Sequence, residues 1–240
     1  KYEPVATTFY EKLNNLSILE FGLVPHSKLK IFGASPDGIC DIDSPEDYVG
    51  RMLEIKCPPV RKFTKEVPEH YWMQMQGQLE CCDLEECDFL QVKLLEYETE
   101  EDFMNDGTFS YTEEDQLKGM MIYFMKDGKP LYEYMPLHIS KEESEIWYED
   151  VMNRNSMLTW IKDIHWWLDE FSNILVLRNK LWFENAIPKI EQVWNIIEKE
   201  RESGYEHRLP KKRSTRSKYV LCDNDNTSIV TNTNTCLIDT

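Results

Sequence analysis

Residues 53–57 read Leu-Glu-Ile-Lys-Cys and stop at Pro58-Pro59. Successive side chains of a strand point to opposite faces, so Leu53, Ile55 and Cys57 share one face and Glu54 and Lys56 the other. The apolar set belongs in a core, and proline cannot continue a central strand. A strand over 49–57 therefore carries a carboxylate and an ammonium side by side where the surrounding pattern is hydrophobic. Seventeen residues before Glu54, Asp37 stands in Ser35-Pro36-Asp37-Gly38, a turn sequence that lets the chain reverse sharply.

Two carboxylates converging beside a lysine suit one kind of chemistry. Mg²⁺ is a hard cation that takes oxygen ligands and completes its octahedron with water and phosphate. Held by Asp37 and Glu54, with the Ile55 carbonyl as a further ligand, it would polarise a phosphodiester and acidify bound water. Lys56 is then placed to orient the attacking water and offset charge at phosphorus. The bland alternative is a surface ion pair worth at most about 1 kcal/mol, beside an ordinary turn.

Composition first argues the other way. The chain has 240 residues, 27 Lys+Arg against 44 Asp+Glu, and a net charge of −17, which repels phosphate. Net charge does not say where the charges lie, however. Residues 96–115 alone hold nine acids and no base, which suits a solvated loop or short helix. With 41% hydrophobic and 12% aromatic residues the chain can fill a core, so disorder throughout is excluded. No apolar run is long enough for a membrane span. Seven cysteines without a secretory signal predict a reducing, intracellular compartment, and Cys81, Cys82 and Cys87 lack the spacing of a zinc site.

Along the chain, Pro4 opens a helix with Val5, Phe9, Leu13 and Leu16 at helical spacing. Glu3-Pro4-Val5 so close to the first residue predicts that the native beginning lies upstream. Short strands are expected at 18–24, 30–33 and 38–42, a helix at 69–83, and a strand at 88–97. On the 69–83 helix Trp72, Met75, Leu79 and Cys82 share a face, with Tyr71, Gln74 and Gln78 beside it and Gln76 structural. Asp127-Gly128 between two apolar runs predicts a hairpin. From 141 to 203 the pattern reads helical, with breaks near 154–157 and 179–183, and Pro188 falls early in the last helix. The segment 203–240 carries six bases against four acids, which leaves −19 on the rest. Its basic run, Arg208 to Lys218, reads as a localisation signal, a phosphate-binding arm or a solvated tail. Beyond it the Asn/Thr-rich end reads as disordered.

The ordered set Asp37, then Glu54-Ile55-Lys56, resembles the PD-(D/E)XK nuclease core. With Leu53-Glu54-Ile55-Lys56-Cys57-Pro58 and Tyr71-x-x-Gln74-x-Gln76 it is similar to the lambda-exonuclease branch, the YqaJ-type viral recombinases. Val67-Pro68 and Arg61-Lys62 make it most similar to the versions in large DNA viruses. The resemblance covers about residues 1–97. It implies an α/β, restriction-endonuclease-like mixed central sheet flanked by helices, here with a helical C-terminal part and a disordered tail. The matching domain limits are 1–137 for the nuclease core, 138–203 for a helical extension packed on it, and 204–240 for the tail.

By position, the resemblance makes Glu3 the supporting glutamate, Asp37 and Glu54 the metal ligands, Lys56 the catalytic lysine, and Gln74 a glutamine near the active site. DNA contact falls to Ser35, Arg61, Lys62, Lys65 and Tyr71, with strong salt dependence. The implied cofactor is Mg²⁺, replaceable by Mn²⁺, as two ions. The implied activity is 5′→3′ exonuclease action on duplex DNA with free ends, in viral recombination, repair or replication. Implied partners are a single-strand annealing protein and copies of the chain in a trimer, with no membrane, in host cytoplasm, viral factory or nucleus. Asp41, Asp43, Glu46 and Asp47 lengthen the connection between the two acids, and the family's upstream helices are missing. An endonuclease, an RNA-directed nuclease and an idle nuclease fold that binds proteins remain as alternatives.

Overall fold

The computed structural model describes residues 1–58, 63 and 66–210. Arg61, Lys62, Lys65 and most of the predicted tail lie outside them. Lys1–Ile196 form one compact unit, and a second begins at Ile197.

The first unit is built on a seven-stranded sheet. Its strands are β1 (Ile18–Leu19), β4 (Gly38–Cys40), β5 (Met52–Lys56), β6 (Glu86–Glu96), β9 (Thr159–Leu177), β7 (Lys118–Lys126) and β8 (Lys129–Tyr134), in that spatial order. A separate ribbon pairs β2 (Val24–Pro25) with β3 (Gly33–Ala34). Within the large sheet β5 and β6 run parallel, joined through helix α2 (Glu69–Cys82), and the other pairs are antiparallel. The fold is thus mixed α/β with helices on both faces of the sheet.

Alternation along β5 decides which helix each side chain meets. Leu53 and Ile55 join Leu90 and Val92 under helix α1 (Glu3–Asn14), against Val5, Ala6 and Tyr10. Met52 faces the other way and packs with Phe89, Cys87 and Val176 under Met75 and Leu79 of α2. Glu54 shares that second face, and its side chain is fully buried. Pro4 sits in the first turn of α1, where its missing N–H costs nothing.

The acidic 96–115 segment holds a short helix, α3 (Glu100–Asn105), capped by Thr99 and Asp102. It is anchored by Lys118, which is buried and donates from Nζ to the carbonyls of Phe103 (2.5 Å), Thr108 (2.8 Å) and Asp106. Burial lowers the pKa of that ammonium. The Asp127-Gly128 hairpin forms as expected, with both residues at positive φ.

Three expectations are corrected. The predicted strand at 18–24 divides into two short strands in different sheets. The helical reading of 141–203 holds for α4 (Lys141–Arg154) and α5 (Lys180–Ser203), but residues 159–177 form β9, the longest strand of the sheet. That segment is therefore part of the sheet, between β6 and β7, and not a helical extension packed on it. Ile164 and Leu168 are four apart, a spacing that keeps side chains together on a helix or a strand. Trp166 between them is also buried, which only the two-residue period allows. Pro188 then lies two turns inside α5, not in its opening turn.

Where β7 crosses β9, Gly119 lies against Trp166. A Cβ on Gly119 would stand 2.3 Å from Cζ2 of that ring, which is buried and has no room to withdraw. Gly119→Ala is expected to cost about 1–3 kcal/mol of stability. Urea unfolding checks this, and an unchanged midpoint would show that the sheet repacks freely.

The second unit contains the end of α5 and a single turn of 3-10 helix, Glu206–Arg208. Arg208 grips Glu200 through Nε and Nη2. Among the described residues no helix is long and apolar enough to cross a membrane.

Candidate active site

Three elements bring the predicted residues together. β5 presents Glu54 toward α2, the turn before β4 presents Asp37, and α2 lays its glutamines over the strand. Lys56 Nζ binds Glu54 Oε1, and Gln74 Nε2 donates to the same oxygen at 2.7 Å. Gln78 Nε2 donates to Oε2 at 2.7 Å. Both oxygens of a fully buried carboxylate are therefore held by specific donors. This removes the reading of Glu54 and Lys56 as an exposed surface pair.

Asp37 joins the strand through its own carboxylate. Its Oδ2 accepts the Ile55 N–H at 2.7 Å, which fixes it beside Glu54. Burial raises its pKa, and the charge of Glu54 raises it further, while the Ile55 bond and Lys56 oppose the shift. Burial works to lower the pKa of Lys56, but the hydrogen bond and charge of Glu54 and the charge of Asp37 outweigh it, so the net shift is upward.

Glu3, at the start of α1, lines two shallow clefts. One, about 220 Å³, is shared with Glu20, Ser35 and Asp37, and the other, about 190 Å³, with Tyr2, Ile55 and Cys57. Burial and then the charge of Asp37 raise its pKa. Tyr71 flanks the site, with Lys56 Nζ 5.1 Å from its ring centroid and Phe89 beneath it. Ser35 contributes its carbonyl, which accepts from Gln78 at 3.1 Å. Glu3, Asp37, Glu54, Lys56, Gln74, Tyr71 and Ser35 thus lie around the end of β5, with Glu3 reaching it from α1 and Gln74 and Tyr71 from α2. Gln76 does not. It is buried on α2 and bonds the Leu177 carbonyl and the Asn179 N–H.

Two residues of the site were given no role there by the sequence. Gln78 was visible as the i+4 neighbour of Gln74, a spacing that stacks both amides over one strand. Glu20, whose charge adds to the rise in Glu3's pKa, had no sequence signal.

The donor set fits a divalent ion. The charge of Glu54 adds to the cost of ionising Asp37, and a 2+ charge between them would offset that cost. Among the described residues no three His, Cys, Asp or Glu side chains group closely enough to hold a metal. The ligands on offer are therefore Asp37, Glu54 and the Ile55 carbonyl, with Glu3 in support.

The YqaJ-like viral recombinase domain matches residues 1–85. Through those residues the chain is similar to YqaJ-like viral recombinases. It is 35% identical over 234 residues to "Uncharacterized protein R354" of Acanthamoeba polyphaga mimivirus, covering 82% of this chain and 42% of that protein. The chain therefore spans less than half the length of that curated relative. Among solved structures it is similar to an alkaline exonuclease (LHK-Exo) from Laribacter hongkongensis, with a TM-score of 0.44 and 17% identity over 84% of this chain and 68% of that one. The complex of LHK-Exo with dAMP gives a TM-score of 0.31 and 20% identity over 65% and 71%.

Proposed function

We propose that the chain carries the active site of a metal-dependent DNA nuclease, a 5′→3′ exonuclease on linear duplex DNA. The observation that supports this most is the buried Glu54, held at both oxygens, with Lys56 and Asp37 beside it. A surface pair has no physical need for such a setting. Asp37, Glu54 and the Ile55 carbonyl would hold Mg²⁺ or Mn²⁺, which when bound lowers the pKa of water and stabilises charge on phosphate oxygens.

The chain's own residues supply the rest. Lys56 donates to the attacking water and to the developing charge at phosphorus. Gln74 keeps Glu54 turned toward Asp37. Glu3 shapes the cleft wall beside Asp37. The water oxygen bonds to phosphorus as the bridging P–O bond breaks, and the leaving oxygen takes a proton. With this reading go assembly of copies into a trimer, hand-over of single strands to an annealing protein, and a place in viral recombination in host cytoplasm, viral factory or nucleus.

The test uses the full chain with linear duplex DNA labelled at either end, in Mg²⁺. Loss of the 5′ label first, arrest by a chelator and sparing of closed circles are expected. Cutting of closed circles would make it an endonuclease, preference for RNA would move its substrate, and inertness on every substrate would overturn the nuclease reading. Calorimetry with Mn²⁺ tests the ligands separately. Asp37→Asn is expected to lose the binding shown by the wild type, and equal binding by both would remove Asp37 from the metal set.

A further inference from the structure

We propose that Gln78 is a positioning residue that fixes the separation of the two acids and thereby sets the site's affinity for a divalent cation. The inference rests on the metal reading above. One amide nitrogen makes both bonds that matter. Gln78 Nε2 donates to Glu54 Oε2 at 2.7 Å and to the Ser35 carbonyl at 3.1 Å. Ser35 precedes Asp37 by two residues, and Pro36 between them has a fixed φ. The Asp37 turn and the Glu54 strand are thus tied through a single side chain. The bond from Ile55 N–H to Asp37 is a second tie on the same turn.

Gln78 differs from its neighbours on α2. Gln74 holds Glu54 from the exposed side of the helix, whereas Gln78 is only 2% exposed. Gln76, equally buried, has both amide atoms paired to backbone. Gln78 leaves its Oε1 buried with no hydrogen-bond partner. An unsatisfied buried carbonyl costs stability, so the residue is poorly explained as packing. Its NH₂ group, placed between the two acid-bearing segments, explains it better. Gly77 lets α2 come this close to the neighbouring ribbon, since a Cβ there would stand 2.9 Å from the Phe32 ring.

The experiment is calorimetric titration of the full chain with MnCl₂. Gln78→Met keeps the length of the side chain and removes the donor, and Gln78→Asn keeps the amide but withdraws it by one methylene. Either is expected to weaken Mn²⁺ binding about tenfold or more, as loss of a group that orients a metal ligand does. Val151→Ala, in the separate cluster under α4, lowers stability without touching the site and is expected to leave the affinity unchanged. Should Gln78→Met not fold, Gln78→Asn carries the test. Wild-type affinity in a folded Gln78 variant, or equal weakening in Val151→Ala, would overturn the proposal. A wild type that binds no Mn²⁺ would instead overturn the metal reading beneath it.

Discussion

Lys56→Met is expected to give a folded protein that digests linear duplex DNA about 10²–10³-fold more slowly than the wild type. Methionine keeps most of the aliphatic stem, so the strand end stays packed. Glu54 also keeps two of its donors, because Gln74 and Gln78 bind it independently of the lysine. What disappears is the one cation beside the two acids among the described residues, and with it the proposed donor to water and to phosphate charge. Single-turnover digestion at saturating Mg²⁺ reads the chemical step, and thermal unfolding reports whether the fold survives. Equal rates for variant and wild type would remove Lys56 from the reaction and most of the case for nuclease chemistry. Slowed digestion with a collapsed melting point would assign the residue to structure.

The second large effect is expected far from the chemistry. Arg178, just past the end of β9, pairs with Glu80 of α2 through Nε at 2.9 Å and Nη2 at 2.8 Å. Its Nη1 reaches Asp83 at 2.8 Å and Glu85 at 3.2 Å. The side chains of Arg178 and Glu80 are only 6% and 11% exposed, so this pair is held in two-bond geometry with little water around it. Removing one partner of such a pair leaves the other charge poorly solvated. Arg178→Met is expected to cost about 3 kcal/mol in urea unfolding, and the double variant with Glu80→Met less than the single. Nearly unchanged stability in the single variant would show that water replaces the guanidinium without penalty. The Asp83 and Glu85 contacts are exposed and add little.

The site was more legible than the sheet that supports it. Glu54 and Lys56 could be placed on one face because strand alternation is rigid over five residues, and prolines marked where the strand stops. Gln74 and Tyr71 came from the family resemblance, and helical spacing added only that they lie near one another on α2. Two properties were hidden because they depend on what lies across the sheet. One is that Glu54 lies under a helix and not in water. The other is that Gln78, not Gln74 alone, completes its hydrogen bonding. Residues 159–177 failed for a different reason, since their apolar residues at four-residue spacing satisfy a helical and a strand pattern alike. Their Trp and Ile content favoured a strand, and the partners that decided it, β6 and β7, are distant in sequence. The net charge carried no information about the site, because it averages over the whole surface and does not say which charges meet in one cleft.

The position of β9 sets a timetable for the chain's synthesis. β6 ends at Glu96, yet the strand that covers its far edge runs from Thr159 to Leu177. At bacterial-to-eukaryotic elongation speeds the ribosome takes on the order of ten seconds to cover that interval. Throughout it, only Cys87–Gln91 of the eleven β6 residues have β5 beside them, and the far edge of the strand is an open row of amides and carbonyls. Asp37 and Glu54 are made early, but the sheet on which they stand is closed late. A nascent chain with this order of assembly has a long interval in which the half that carries Asp37 and Glu54 exists without its neighbour, and in which chaperones have an edge to guard.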